Sequence, residues 1–128
     1  MSRKTPESLV LDGCLHYLRV RGVYHWRNSV GAVRLASGQF VRFGGKVGSS
    51  DILAVLPPNG RILCIECKAP AGRLSSDQVA FLEHIRSLGG LAIVARSFQD
   101  IDEALRQEGY ADDGPLFRQS IAVMGGIE

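Results

Sequence analysis

The stretch Asp51-Ile-Leu-Ala-Val-Leu-Pro-Pro-Asn-Gly-Arg-Ile-Leu-Cys-Ile-Glu-Cys-Lys68 reads as two strands around a turn, and it decides the fold class. Two apolar runs flank Pro57-Pro-Asn-Gly60, a composition that reverses the chain and lays one run against the other. Successive side chains of a strand point to opposite faces, so Ile62, Cys64, Glu66 and Lys68 share one face. That face changes from apolar to charged at its end. A carboxylate and an ammonium closing a strand that otherwise belongs in a core are costly unless paired, hydrated or bound to a metal ion. Asp51 opens the first strand, and the hairpin brings it beside Glu66.

Working outward, Ser75-x-x-Gln78 is a capping-box pattern ahead of Val79, Phe81, Leu82, Ile85 and Leu88, which predicts a helix closed by Gly89-Gly90. Leu91 to Ala95 is a short apolar run of strand type. Ser97 is placed to cap a last helix with Phe98, Ile101, Ala104 and Leu105 on its apolar face. Upstream, Thr5-Pro6 reads as N-cap and first helical residue, Leu9, Leu11, Leu15 and Leu18 as an apolar stripe, and Gly22 as a stop. Val23 to Arg27 and Gln39 to Phe43 read as strands around a polar stretch from Asn28 to Gly38. The Gly44-Gly45 pair opens a loop that delivers Asp51, and its glycines would let DNA or a metal ion approach the backbone closely. The expected class is α/β, a mixed β-sheet flanked by helices. Residues 110 to 128 are ambiguous.

Three segments taken together, Gly44-Gly-Lys-Val-Gly-Ser-Ser-Asp51, Ile65-Glu-Cys-Lys68 and Gly72-x-Leu-Ser-x-x-Gln78, resemble the VRR-NUC branch of the PD-(D/E)XK nucleases. Glu7 in the first helix and Arg27-Asn28-Ser29-x-Gly31 extend the resemblance over roughly residues 5 to 108. Two departures are visible: Ser50 stands where many members carry proline, and Cys67 where an aliphatic residue is common. The resemblance implies one nuclease domain over residues 1 to 128 with a restriction-endonuclease-like core in αβββαβ order. It also implies a metal-dependent endodeoxyribonuclease, and the small stand-alone members point to branched or otherwise structured DNA.

Phosphodiester hydrolysis requires cations near the non-bridging and leaving oxygens and a water in line with the bond. Hard oxygen ligands favour Mg²⁺, with Mn²⁺ as its usual substitute, and such ions take only one or two protein carboxylates. Asp51 and Glu66 are therefore the expected metal ligands, with the backbone carbonyl of Cys67 as a third. Lys68 is expected to hydrogen-bond the attacking water or stabilise developing charge. Glu7 lies in a first helical turn, where the dipole favours an acid whatever the function; the resemblance adds it to the metal site. Gln78 either closes the capping box with Ser75 or, as the resemblance implies, lies next to Lys68 in the catalytic set. Competing constellations are weaker. Cys64 and Cys67 point to opposite faces of one strand and cannot chelate one ion. His16, His25, His84 and Cys14 lack ligand spacing, and Gly44-Gly45-x-x-Gly48 is not followed by the Lys-Ser/Thr of a P-loop.

The chain has 128 residues, 45% of them hydrophobic, enough for a buried core. It contains no apolar run of membrane-spanning length and no apolar stretch behind its basic start, so a cytoplasmic protein is expected, and the resemblance implies a bacterial or phage-infected cell. Its three cysteines argue against a disulfide scaffold. The net charge of +2 hides an asymmetry: residues 1 to 73 hold eleven Lys or Arg against four Asp or Glu, and residues 74 to 128 four against nine. Tyr17, Tyr24, Trp26, Phe40 and Phe43 lie in the basic part, as on a nucleic-acid surface, although each aromatic taken alone reads more readily as core. Arg27, Asn28, Arg34, Arg42 and Lys46 are the expected DNA contacts. The alternative function is a non-catalytic nucleic-acid-binding module that keeps the fold. Cutting both strands with one site per chain implies a homodimer, for which the apolar tail with Phe117, Ile121, Val123 and Met124 is a candidate interface.

Overall fold

The structure, a computed structural model, describes residues 4–110. Its elements in chain order are α1 (Pro6–Arg21), β1 (Tyr24–Arg27), β2 (Val30–Arg34), β3 (Phe40–Gly44), β4 (Ile52–Leu56), β5 (Arg61–Cys67), α2 (Ser76–Ser87), β6 (Leu91–Ala95) and α3 (Phe98–Gln107). Strands β1, β4, β5 and β6 form one sheet in the order β1-β4-β5-β6. The first two pairings are antiparallel and β5 with β6 is parallel, so the sheet is mixed as expected. Antiparallel β4 and β5 need only the Pro57–Gly60 turn, whereas parallel β5 and β6 need a crossover, which α2 supplies.

Alternation along β4 and β5 divides the core. Ile52, Ala54, Leu56, Leu63, Ile65 and Cys67 face α1 and α3, where they meet Leu11, Cys14, Leu18, Ile101 and Leu105. Cys64 faces the other way, into a smaller cluster with Leu82 of α2 and Ala92 of β6. Cys64 and Cys67 thus lie on opposite faces, and all three cysteines are free and buried. The helix signals act where they were read. The Thr5 hydroxyl accepts the Ser8 amide, Gly22 ends α1 in the left-handed region, and Ser75 with Gln78 completes a reciprocal capping box. Two details differ. Leu9 is 57% exposed, and Cys14 completes the buried stripe in its place. Ser97 is the N-cap of α3 without a side-chain cap; the nearby carboxylate of Asp100 instead accepts the Arg96 amide.

The stretch from Asn28 to Gly38 is not all loop. Val30–Arg34 forms β2 and pairs antiparallel with β3 as a separate two-stranded ribbon, inserted in the chain between the paired strands β1 and β4. Its residues alternate too weakly in polarity to announce a strand, because neither face of the ribbon is buried. Arg34, Phe40 and Arg42 share one face of it, with the Arg34 guanidinium 4.3 Å from the centre of the Phe40 ring. Phe40, Phe43, Tyr24 and Trp26 are all exposed, so these four aromatics do not belong to the core. Tyr17 differs: it stacks on Phe98 and donates to Asp102, tying α1 to α3. Among the described residues no helix is long and apolar enough to cross a membrane. The tail residues Phe117, Ile121, Val123 and Met124 lie outside the described residues.

Candidate active site

The site forms where β4 begins and β5 ends. The register sets Ile52 opposite Ile65, and one step further along the hairpin Asp51 meets the end of β5. There the Asp51 carboxylate accepts the Cys67 amide at 2.8 Å. The loop before Asp51 is held by Asn28, whose side-chain amide donates to Ser49 Oγ at 2.8 Å and to the Ser50 carbonyl at 2.9 Å. The Asn28 backbone amide also donates to the Asp51 carbonyl. Asn28, expected among the DNA contacts, is therefore engaged in positioning Asp51.

Glu66 is 2% exposed. One carboxylate oxygen accepts from the Gln78 side-chain amide at 2.9 Å. The other is fully buried and, as a carboxylate oxygen, has no hydrogen-bond partner among the described residues. Burial, the charge of Asp51 and a hydrogen bond to Asp51 that only a protonated carboxyl can make push Glu66 up to about 8 from its ordinary 4.5; Lys68 opposes this rise and Glu7 adds to it. Gln78 closes the capping box and at the same time reaches Glu66, not Lys68 beside which the resemblance set it. Its Oε1 accepts the Ser75 amide at 2.9 Å, closing the capping box, while its Nε2 reaches Glu66.

Lys68 follows β5 and extends the parallel ladder by donating its amide to the Ala95 carbonyl. Its side chain is 12% exposed, and its ammonium stands 3.8 Å from Glu7 Oε1. Glu7 thus reaches the site through Lys68, from the first turn of α1. The Cys67 side chain turns away into the core beside Cys14; its hydrogen bond to Cys14 and its burial push the thiol well above the ordinary range, so it stays neutral. Among the described residues no three His, Cys, Asp or Glu side chains converge into a ready-made metal cage.

Gly48 serves the fold. At Gly48 a Cβ would lie 2.6 Å from the Asp77 carbonyl oxygen, and φ is +81°, so the loop docks against the start of α2 only as glycine. Lys46 and Val47, beside it, border a groove of about 480 Å³ that α2 lines with Asp77, Phe81 and His84. Arg27, Arg34, Arg42 and Lys46 are exposed, the first on edge strand β1 and the next two on one face of the ribbon. Arg96 escaped sequence reading. Its guanidinium gathers three backbone carbonyls of the turn after Lys68. A lone arginine after an apolar run carries no pattern that would disclose this.

The family model for the VRR-NUC domain matches residues 29–99. That span holds Asp51, Glu66, Lys68, Gln78 and Arg96 and leaves Glu7 outside. A solved structure titled "VRR_NUC domain" superposes with a TM-score of 0.58 at 22% identity, covering 84% of this chain and 100% of that one, a likeness of fold. No curated protein sequence matches the chain.

Proposed function

Because the chain belongs to the VRR-NUC domain family, a family of nuclease fold, we propose that it is a divalent-metal-dependent endodeoxyribonuclease acting on branched or otherwise structured DNA. The observation that carries the proposal is the buried, unpartnered oxygen of Glu66 next to Asp51. A buried carboxylate without a donor is unfavourable, and a second carboxylate beside it worsens the balance. A divalent cation between them would reverse both penalties, so the donor set fits Mg²⁺ or Mn²⁺. Two carboxylates are as many as Mg²⁺ ordinarily takes from a protein. Asp51 and Glu66 would hold the ion, with the Cys67 carbonyl completing the protein ligands and Glu7 at the margin beside Lys68. When bound, the metal supplies Lewis-acid stabilisation of the phosphate oxygens and lowers the pKa of a coordinated water.

The remaining work falls to the chain's own groups. Gln78 fixes the rotamer of Glu66 through its amide, and the Cys67 amide fixes Asp51. The Lys68 ammonium, with no described anion closer than Glu7 at 3.8 Å, would bind a non-bridging phosphate oxygen or orient the attacking water. Arg27, Arg34, Arg42 and Lys46 would bind backbone phosphates, and the exposed aromatics of β1 and the ribbon offer stacking surfaces to unpaired bases. One site per chain nicks one strand, so cutting both arms of a two-fold symmetric junction calls for a homodimer.

The test is cleavage of duplex, flap, splayed and four-way junction DNA with Mg²⁺ or Mn²⁺, alongside Asp51→Asn. Cutting of a branched substrate that the variant abolishes is the expected result. Tight binding with no cutting by the wild-type chain under either metal would favour the non-catalytic module. Light scattering should report the mass of two chains.

A further inference from the structure

We propose that Arg96 is a positioning residue for Lys68, acting through the turn Ala69–Gly72. Its Nη1 donates to the carbonyls of Ala69 at 2.7 Å, Gly72 at 2.8 Å and Pro70 at 3.2 Å. These are charge-assisted bonds to three carbonyls of one four-residue turn, which itself closes by the Gly72 amide donating to the Ala69 carbonyl at 2.9 Å. Arg96 in turn is anchored on the sheet. It directly follows β6, whose last carbonyl, that of Ala95, accepts the Lys68 amide, and its own amide donates to Asp100.

The turn is a wall for the Lys68 side chain. A Cβ at Gly72 would lie 3.5 Å from Lys68 Cδ and 3.3 Å from the Ala69 carbonyl oxygen, so the glycine backbone runs along the aliphatic stem. At its far end the ammonium has, among the described residues, the loose contact with Glu7. An ammonium so weakly held at its tip must be aimed by its stem. The stem is aimed by a turn that the Arg96 guanidinium holds in place. Arg96 touches neither Asp51 nor Glu66, which separates its effect from that of the carboxylates.

The kinetic arm of the test rests on the proposed nuclease function; an exchange arm does not. In the full chain, Arg96→Ala should speed hydrogen exchange at the Gly72 amide while the β5 amides keep their protection. With a branched DNA substrate and Mg²⁺ it should lower kcat about 10- to 100-fold, the effect of misplacing a catalytic group by about an ångström, with KM nearly unchanged. In a Lys68→Ala background, whose steady-state turnover is lost, the same substitution should lower the trace of cutting seen in long single-turnover incubations no further. Gly72→Val crowds the stem from the other side of the turn and gives the same reading if Arg96→Ala folds poorly. A raised KM with unchanged kcat would make Arg96 a phosphate contact and overturn the proposal. So would equal losses in the wild-type and Lys68→Ala backgrounds. A wild-type chain that cuts no DNA refutes the proposed function instead, and the exchange arm then decides: a Gly72 amide equally protected with and without Arg96 overturns the clamp.

Discussion

Replacing Glu66 by glutamine should make the metal-free protein more stable while destroying its response to divalent cations. The reasoning follows from a carboxyl that titrates near 8 when folded and at 4.5 otherwise. Below pH 4.5 the group is protonated in both folded and unfolded chains and costs nothing. Between 4.5 and about 8 the unfolded chain loses this proton and the folded chain keeps it, so the folded state binds more protons and stability falls as pH rises. Above about 8 both are ionised and no further stability is lost. Each pH unit in that window is worth about 1.4 kcal/mol, so at pH 7 the wild-type carries a penalty of at most about 3 kcal/mol. Glutamine cannot ionise, still accepts from Gln78, and offers its own amide to Asp51. Part of the gain is lost in orienting that amide, leaving an expected stabilisation of about 1–3 kcal/mol at pH 7 to 8 and nearly none at pH 4.5. Urea denaturation in the presence of chelator, across this pH range, measures it. Adding Mg²⁺ or Mn²⁺ at about 100 times its dissociation constant should then stabilise the wild-type by about 2.7 kcal/mol and leave Glu66→Gln unmoved. The reasoning is refuted if the two proteins show the same slope of stability against pH, or if the cation stabilises both alike.

Asp51→Asn should abolish cleavage with little loss of DNA binding, and Lys68→Ala should abolish it while leaving the metal affinity seen by calorimetry largely intact; strong residual turnover in either variant contradicts the assignment. On the proposed metal assignment Mg²⁺ or Mn²⁺ would displace the proton held by Glu66, so its apparent affinity should rise with pH up to about 8 and then level, as titration calorimetry at several pH values would report. Neutralising Arg27, Arg34, Arg42 and Lys46 together should flatten the dependence of DNA affinity on salt by a slope of up to about 4, and an unchanged slope would move the DNA path elsewhere. Gly48→Ala should lower stability by about 1–3 kcal/mol in thermal unfolding, since the methyl group meets the Asp77 backbone at a positive φ; an unchanged melting temperature would show that the loop and α2 separate freely.

What local chemistry dictates was legible in the chain itself. The strand alternation of residues 51 to 68, the Pro-Pro-Asn-Gly reversal, the Ser75 and Gln78 capping box and the glycine that ends α1 are all short-range, and each acts where it was read. From them followed the mixed sheet, the helices on its two faces, and the meeting of Asp51 with Glu66. Strand β2 was not legible, because a ribbon exposed on both faces has no buried side to impose alternation on its sequence. The frame of the site was hidden for a different reason. Asn28 reaches 22 positions along the chain to the Ser50 carbonyl, and Arg96 reaches 24 back to Gly72. Such bonds join a side chain to a backbone group, and every residue has a carbonyl, so no residue type at the receiving end marks the pairing. The same holds for the unpartnered oxygen of Glu66. Its residue type and strand position were visible in sequence, but its burial is the joint product of α2, β4 and β5 closing around it, and only the packed structure leaves that oxygen without a donor.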